Sequence, residues 1–499
     1  MNNLIIANLL FLVIIIIILF ATYNTKYFNY VLIPLAIVSV NLYNEFYNKP
    51  QQLIIIGGSG AVSGTILEIL EKTKKWYKIL IIDPKDFKNC YKLPITHYKY
   101  ALNAENIDTL NTYIHKSSIV LDISVNVDAL AVIKICDEKR CTYINTSLEN
   151  WETNEFHINP AKLYERSLCY RMKLLYTKFK NTKAKIYVEM GMNPGIISFL
   201  TQKALIDYVR AQKLDFESEI SMRNFAKIAR DCGLRTIHIA EKDTQITNNT
   251  YPSNYFVNTW SAEGFIAEAL DPVQIGYGSH ETNTSFVSTP NKNIKILAKR
   301  GIDTLMNSVV STGPIQGYCI PHGESNTISD HLTHGEYRPS VYYVYDCSQS
   351  AKKGLEMIRE NTTGDKKFTI NYDPARVNPA DFSLNIVPYV LNLEEIQEGY
   401  DEVGALLCFE NKLTYLCSSI LDVKESHKLG FRKSGPTTIQ VAACINSLLN
   451  STLYEGIHTP DDLNYDFMLK NSKKYLGTIF SDFVPNTFNG LKFEDFNVQ

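Results

Sequence analysis

Carboxylates recur inside otherwise apolar segments in the middle of the chain, and one of only three tryptophans lies among them. Glu241 follows the mostly apolar residues 237–240, and Trp260 precedes an apolar stretch that contains Glu268. Carboxylates in an apolar pocket supply negative charge, and a tryptophan ring offers a cation–π surface. The pattern therefore predicts a binding site for an organic cation, which favours an enzyme that acts on amines.

Other polar residues follow apolar runs and could join the same site. Glu149 comes after one such run, and Asn193 comes after another. His322 stands two residues before Glu324. In a parallel sheet, side chains that follow strands reach the edge where ligands bind. Each residue also has a structural interpretation, since Asn193 could cap a helix and the carboxylates could form the polar face of an amphipathic helix. Taken singly, residues of these kinds are more often structural than functional.

A glycine-rich turn near residue 58 lies between an apolar run and a helical stretch. Gly58 and Gly60 have the spacing of the dinucleotide fingerprint, with Ser63 at the position of the third glycine. Asp83 ends the next apolar run, where a carboxylate binds ribose hydroxyls and favours NAD over NADP. The turn therefore predicts an NAD site. The alternative is a tight turn that binds no ligand.

The elements that must position these residues alternate between short apolar runs and helical stretches. The runs predict strands in a doubly wound parallel sheet of the Rossmann type, and they comprise residues 53–56, 79–82, 119–125, 142–145 and 186–189. After about residue 205 the alternation weakens, and residues 311–415 are rich in Tyr, Val and Thr. That composition favours a mixed or antiparallel sheet.

We therefore predict an α/β fold with two domains after residue 50. The NAD-binding Rossmann domain is expected to comprise residues 51–205 together with about 425–480. A second, α+β substrate domain is expected to comprise residues 206–424.

The first 50 residues carry a different pattern. Residues 4–21 are apolar except for Asn8, and no charge occurs before Lys26. This length predicts a transmembrane helix, and residues 27–44 could form a second, shorter one or an interfacial helix. The lysines that follow favour a catalytic domain that faces the cytoplasm. We therefore predict a membrane anchor over residues 1–50, although a buried core helix is the alternative for residues 4–21.

The net charge and the spacing of the cysteines argue against nucleic-acid binding and against a metal site. The net charge of −2 gives no basic field of the kind that binds nucleic acid. Ten cysteines are scattered without a CxxC pair, so we predict no metal site.

Several ordered motifs together resemble the bacterial, NAD-dependent homospermidine synthase family, which belongs to the saccharopine dehydrogenase-like superfamily. The similarity runs from about Leu53 to Leu476. The motifs are TSLENW at 146–151, NPGIIS at 193–198, IHIAEKDTQ at 237–245, VNTWSAEGF at 257–265, GYGSHE at 276–281 and HGES at 322–325.

The resemblance implies roles for individual residues. The implied catalytic residues are Trp260, Glu241, Glu268, His322 and Glu324, and the implied substrate-binding residues are Glu149, Asn193, Asp401 and Asn126. Asn126 stands where the family pattern has an aspartate, and Gly323 replaces a polar residue. The missing acid at Asn126 bears on which amine is bound.

The resemblance also implies a reaction. Hydride passes from the amine-bearing carbon of putrescine to NAD⁺, which leaves an imine. A second putrescine displaces ammonia, and return of the hydride gives homospermidine. We expect a homodimer.

Two alternatives remain from the sequence. Another saccharopine dehydrogenase-like oxidoreductase could act on a different amine or on an amino acid. Such an enzyme needs arginines for a substrate carboxylate, whereas the motifs here are acid-rich. A catalytically inactive, membrane-anchored NAD-binding protein is the second alternative, because of Asn126 and the apolar N-terminus.

Overall fold

In the computed structural model, the described residues are 51–498, with gaps at 75–76, 126, 152–162, 283–284, 290–292, 362–367, 371–383, 432–433 and 489. Residues Gln52–Gln499 form one unit.

The strands of the described residues, in chain order, are β1 (Gln51–Ile56), β2 (Tyr77–Ile82), β3 (Ile95–Tyr98), β4 (Ile119–Asp122), β5 (Thr142–Asn145), β6 (Lys185–Tyr187), β7 (Leu234–Asp243), β8 (Tyr255–Asn258), β9 (Pro272–Gly276), β10 (Phe286–Ser288), β11 (Ile294–Arg300), β12 (Leu305–Val310), β13 (Gly313–Tyr318), β14 (Ser340–Asp346), β15 (Phe368–Ile370), β16 (Leu384–Val390), β17 (Tyr400–Phe409), β18 (Thr414–Asp422), β19 (Gly456–His458), β20 (Thr478–Val484) and β21 (Asn497–Val498).

The helices of the described residues are α1 (Ala61–Thr73), α2 (Ala129–Lys139), α3 (Leu163–Arg166), α4 (Leu168–Phe179), α5 (Ile196–Ala211), α6 (Glu217–Ser221), α7 (Phe225–Asp231), α8 (Ala262–Leu270), α9 (Glu324–His331), α10 (Gln349–Asn361), α11 (Val423–Lys428), α12 (Pro436–Leu449), α13 (Tyr465–Ser472) and α14 (Phe493–Phe496).

The first sheet has seven strands in the order β19-β6-β5-β4-β1-β2-β3, and the pairs β19–β6, β6–β5, β5–β4, β4–β1 and β2–β3 are parallel. The predicted Rossmann-type parallel sheet is therefore confirmed. Sequence reasoning missed β3 and β19. β3 alternates between half-buried and exposed residues at the sheet edge, and β19 has only three residues, so neither contains an apolar run.

The apolar runs exist because each central strand is buried on both faces. In β1, Leu53 and Ile55 belong to one hydrophobic cluster, whereas Ile54 and Ile56 belong to another. Ile66 of α1 lies in the first cluster and Val132 of α2 lies in the second. The strand thus separates two cores, each covered by helices.

The second sheet is mixed and has eleven strands, eight of which follow the order β10-β11-β9-β14-β7-β17-β18-β20. β14 and β7 are parallel, while β17 runs antiparallel to both β7 and β18. Strands β15, β16 and β8 form a small parallel sheet. The expected change to a mixed sheet after residue 205 is thus observed.

The two large sheets share one hydrophobic core. α5 packs against β17 and β18, and Leu200 of this helix lies in the same cluster as Leu53 and Ile239. After the second sheet, the chain returns to the first, since α12 packs against α1 and β19 pairs with β6. β20 pairs instead with β18 of the second sheet. The domain boundaries given above stay a prediction.

The membrane-anchored architecture and membrane location that we predicted need correction. α5, the longest helix of the described residues, has 16 residues, whereas a span needs about 20 apolar ones. Across residues 51–498, outside the gaps, no helix meets the length and apolarity of a membrane span. Residues 4–21 and 27–44, from which the prediction came, lie outside the described residues. The transmembrane element is withdrawn from the fold class, and with it the predicted localisation.

Candidate active site

The glycine-rich turn between β1 and α1 lies at the carboxyl edge of the first sheet, where the strand order reverses. Gly57 has φ +82°, and a Cβ there would lie 2.7 Å from the Cα of Ser124 after β4. A Cβ on Gly58 would lie 2.4 Å from Ile81 Cγ2. At Gly60, by contrast, a Cβ would meet only one backbone oxygen, at 3.4 Å. The turn therefore packs closely against β2 and β4 and leaves space near Gly60.

This space lies at the N-terminus of α1. Gly60 is the N-cap residue and no side chain caps the helix, so its first N–H groups can bind a pyrophosphate. Ser63, at the third fingerprint position, is fully buried, and its Oγ has no hydrogen-bond partner. A small side chain is thus accommodated where the fingerprint has glycine.

Asp83 is fixed beside the turn by two backbone donors. Ser59 N donates to Oδ2 at 3.0 Å, and Lys85 N donates to Oδ1 at 2.8 Å. Each carboxylate oxygen can accept a further hydrogen bond, so both remain able to accept from ribose hydroxyls. Gly58, Gly60, Ser63 and Asp83 therefore fit a dinucleotide of the NAD type.

His322 lies between two carboxylates. Its Nδ1 is 3.1 Å from Glu324 Oε1, at the start of α9, and its Nε2 is 3.1 Å from Glu268 Oε2 of α8. His322 and Glu324 are buried, whereas the Glu268 side chain is 30% exposed. The triad thus extends from the interior to solvent.

Glu241 is held in β7 by donors from two other elements. Its Oε2 accepts from Asn193 Nδ2 at 2.6 Å and also from the Tyr343 hydroxyl of β14. The Tyr343 ring centroid is 4.1 Å from that of His322. Tyr343 therefore connects Glu241 with the His322 triad.

Asp401 faces the same group from β17. It lies opposite Asp243 of β7, and neither of its carboxylate oxygens has a hydrogen-bond partner. Asp243 is fully bonded, because Thr259 Oγ1 donates at 2.5 Å and both the backbone N and the side-chain amide of Gln245 donate as well. Asp243 is thus a structural acid, while Asp401 is available to a ligand.

Trp260 joins the group through one tyrosine. Its Nε1–H donates to the Tyr345 hydroxyl at 3.0 Å, and the Tyr345 ring stacks on Tyr343 with centroids 5.7 Å apart. The hydrogen bond fixes the orientation of the indole ring. Trp260 is half-buried and packs on Phe265 of α8.

Glu149 lies beyond β5, and its electrostatic neighbours include Glu268. Burial raises the pKa of Glu149 to about 7, although a hydrogen bond from Ser147 opposes this. Asn126, the remaining predicted residue, lies outside the described residues. Glu189, which our sequence reasoning missed, is a buried carboxylate after β6 whose Oε2 has no partner. Its signal in the sequence was a carboxylate at the end of a Rossmann strand.

Burial dominates the electrostatics of the site. It raises the pKa of Glu189 to about 8 and that of Glu241 to about 7, and it raises the pKa of Asp401 well above 3.8. Burial opposes protonation of His322, but Glu324 and Glu268 outweigh it and hold the His322 pKa well above 6.5.

No ion pair within the described residues joins a lysine or arginine to Glu189, Glu241, Glu324 or Asp401. The site can therefore take up either protons or an external cation. Its geometry suits cationic ligands, but the catalytic and substrate-binding roles of individual residues stay a prediction.

Residues 53–172 match the saccharopine dehydrogenase NADP binding domain, and residues 191–474 match the saccharopine dehydrogenase C-terminal domain. The chain belongs to the saccharopine dehydrogenase family. Among curated members, the homospermidine synthase of Mesorhizobium japonicum is 26% identical over 460 residues, which cover 87% of this chain and 91% of that protein. The homospermidine synthase of Blastochloris viridis is 26% identical over 469 residues, with 88% and 93% coverage.

A solved member of the saccharopine dehydrogenase family has the same fold. The crystal structure of the homospermidine synthase of Legionella pneumophila in complex with NAD matches with a TM-score of 0.73 at 23% identity. The match covers 90% of this chain and 98% of that one. The resemblance inferred from the sequence motifs is therefore confirmed.

The position of Asp83 gives a test of cofactor choice. We expect Asp83→Ala to weaken NADH binding roughly tenfold or more, because hydrogen bonds to a charged acceptor contribute about 1.5–3 kcal/mol. Asp83→Ala with an arginine at Pro84 should shift preference toward NADPH. Titration of NADH and NADPH by fluorescence measures both. Asp86→Ala is the control, since its side chain is 88% exposed. Equal affinities in all variants would show that Asp83 does not contact the ribose.

Proposed function

We propose that this chain is a homospermidine synthase, which joins two putrescine molecules into homospermidine, releases ammonia and uses NAD as a recycled hydride carrier. The observation that carries the proposal is the buried group of Glu241, Glu324 and Asp401. Oxygens of Glu324 and Asp401 lack partners, and no lysine or arginine of the described residues pairs with the group. Two relatives that cover most of the chain are homospermidine synthases.

Bound NAD supplies the chemistry of hydride removal and return. Gly58 and Gly60 shape the turn that would receive the pyrophosphate, Ser63 permits close packing of α1, and Asp83 would bind the ribose. The same carboxyl edge of the first sheet carries the loop with Asn193, which donates to Glu241. Cofactor and amine sites are thereby linked through one sheet edge.

The carboxylates bind and orient the diamine. A doubly charged diamine loses its hydration shell on entering a buried site, which is costly unless each ammonium is paired. Asp401 and Glu241 pair with one end, and Glu324 pairs with a group beside His322. Asn193 and Tyr343 hold Glu241 in place through its Oε2.

His322 and Glu268 transfer the protons that the reaction requires. The departing amine must gain a proton before it leaves as ammonia, and the attacking amine must lose one. His322, protonated between Glu324 and Glu268, gives its proton to the departing amine through one of these two carboxylates. The attacking amine gives its proton to a neighbouring carboxylate. Partly exposed Glu268 exchanges protons with solvent, which restores the starting state.

Trp260 stabilises the cationic imine that forms between the two diamines. Tyr345 fixes the indole orientation through Nε1–H, so the ring face does not need to reorganise during the reaction.

An amino-acid substrate would need an arginine for its carboxylate. Arg171, an electrostatic neighbour of Glu149, is engaged with Asp128 at 3.1 Å and with the Glu149 carbonyl at 2.6 Å. The structure therefore favours amines over amino acids. The homodimer expected from the sequence stays a prediction, which light scattering of the purified chain would test.

The decisive experiment uses the full chain with NAD⁺ and ¹⁵N-labelled putrescine. We expect homospermidine and labelled ammonia in equal amounts, detected by mass spectrometry, with no net NADH. Accumulation of NADH without a new carbon–nitrogen bond would instead indicate a simple amine dehydrogenase.

Variants of Trp260 test the ring face. We expect Trp260→Ala to lower turnover roughly thirtyfold, because a desolvated cation–π contact contributes about 2 kcal/mol, and Trp260→Phe to be milder. NADH affinity should be unchanged in both. Tyr345→Phe is the matched control that removes only the hydrogen bond to the indole. Wild-type turnover in Trp260→Ala would mean that the ring only packs.

The raised pKa values predict how diamine binding depends on pH. Glu241, with its pKa near 7 rather than 4.5, is mostly protonated at pH 6 and mostly ionised at pH 8. Alkyl ammonium groups, with pKa values of about 10.4, remain charged at both pH values. Putrescine should therefore bind roughly tenfold more tightly at pH 8 and raise the thermal unfolding midpoint more there. Butane-1,4-diol should produce no shift. A larger effect of putrescine at pH 6 would contradict the prediction.

A further inference from the structure

We propose that Glu189 is an additional, specificity-determining carboxylate of the amine site, which binds an ammonium group of the substrate, and that Gly323 makes room for it. This inference rests on the proposed function, since it assigns a new contact in the same site. Three observations support it: the backbone conformation of Glu189, the space beside Gly323, and the lack of a hydrogen-bond donor to Glu189 Oε2.

The backbone aims Glu189 in a fixed direction. The residue has φ +63°, in the left-handed region that residues other than glycine rarely adopt. Its N–H donates to Asn145 Oδ1 at 3.0 Å, and Met190 N–H donates to the Asn145 carbonyl at 2.8 Å. Two hydrogen bonds from the end of β5 thus hold an unfavourable conformation.

The lack of a side chain at Gly323 leaves room for the Glu189 carboxylate. The φ of −63° and ψ of −40° at Gly323 are helical angles that any residue adopts. However, a Cβ on Gly323 would lie 1.8 Å from Glu189 Oε1 and 2.4 Å from its Cδ. The Glu189 carboxylate therefore occupies the volume that a side chain at position 323 would fill, directly between His322 and Glu324.

The Glu189 carboxylate lacks the donors that buried structural acids have. Glu402, fully buried in the second sheet, accepts from Ser311 N and Oγ, both at 2.8 Å, and from Ser418 Oγ at 2.7 Å. Glu189 is 2% exposed, and its Oε2 has no partner. An acid that stabilised only the fold would be bonded like Glu402. An unpaired buried acid is costly, so its placement points to a ligand.

The surroundings define that ligand as a cation. The charged groups that act on Glu189 are two acids, Glu324 and Asp461, and one base, His322. His322 is already shared by Glu324 and Glu268. An ammonium group has three donors, and so it can donate both to Glu189 Oε2 and to Glu324 Oε2, neither of which has a partner.

Glu189 also extends the site along one loop. The loop that begins at Glu189 reaches Asn193, which donates to Glu241. One end of this loop therefore lines the His322–Glu324 region and the other lines the Glu241 region. A substrate with amino groups at both ends would contact both, whereas a monoamine would use only one.

The test compares putrescine and butylamine on the full-length protein by calorimetry and by turnover. In Glu189→Gln we expect putrescine affinity to fall roughly tenfold or more, while butylamine and NADH affinities change less than twofold. The preference for putrescine over butylamine should therefore be lost. The thermal midpoint of Glu189→Gln at pH 8.5 should equal or exceed that of the parent, because an unpaired buried charge has been removed. Glu455→Gln, with a 61% exposed side chain, is the matched control.

Variants of Gly323 give a second, independent test. We expect Gly323→Ala to displace Glu189 and reproduce the loss of diamine preference. Glu189→Ala with Gly323→Ala should restore the thermal midpoint without restoring putrescine affinity. An unchanged diamine preference in Glu189→Gln, with normal parent turnover, would overturn this inference and leave the proposed function intact. Absence of putrescine binding to the parent would overturn both.

Discussion

The site depends on carboxylates that are held out of water without a cation of the protein to pair with them. Asp401 has no hydrogen-bond partner, and Glu241 is held only by neutral donors, Asn193 and Tyr343. Such groups carry protons until a cation arrives, because burial penalises their ionised form. A cation that binds to these carboxylates therefore also displaces the protons that they carry.

The fold provides hydrogen-bond donors for an anion in the first sheet and carboxylates for a cation in the second. A pyrophosphate needs free N–H groups, which the uncapped N-terminus of α1 provides after Gly60. The proposed amine substrate needs carboxylates, and β7 and β17 of the second sheet carry Glu241 and Asp401. α5 connects the two, because it starts immediately after the Asn193 loop of the first sheet and packs against β17, which carries Asp401.

Two tyrosines hold the side chains of this site in fixed positions relative to one another. Tyr343 bonds to Glu241 and packs on His322, and Tyr345 stacks on Tyr343 and bonds to Trp260. The two tyrosines are alternate residues of β14, so they point to the same face of the sheet. One strand thus fixes the relative positions of an acid, a base and the indole ring.

The sequence by itself determined the parallel sheet and the nucleotide turn, because both depend on local patterns. Strands buried on both faces read as apolar runs, and the turn needs glycine where the backbone at Gly57 takes a φ of +82°. The ordered motifs also identified the family. The apolar composition of residues 4–21, in contrast, led to a membrane architecture that the described structure does not support, since hydropathy reports only local composition.

Only the tertiary structure decided which acids act together. Asp401 meets Asp243 through the antiparallel register of β17 and β7, and His322 meets Glu268 across 54 residues of chain. The Glu189 carboxylate occupies a space left by Gly323, which is far away in sequence. Ionisation and pairing depend on burial and on distances through space, and these are set when remote segments pack rather than by the order of residues along the chain.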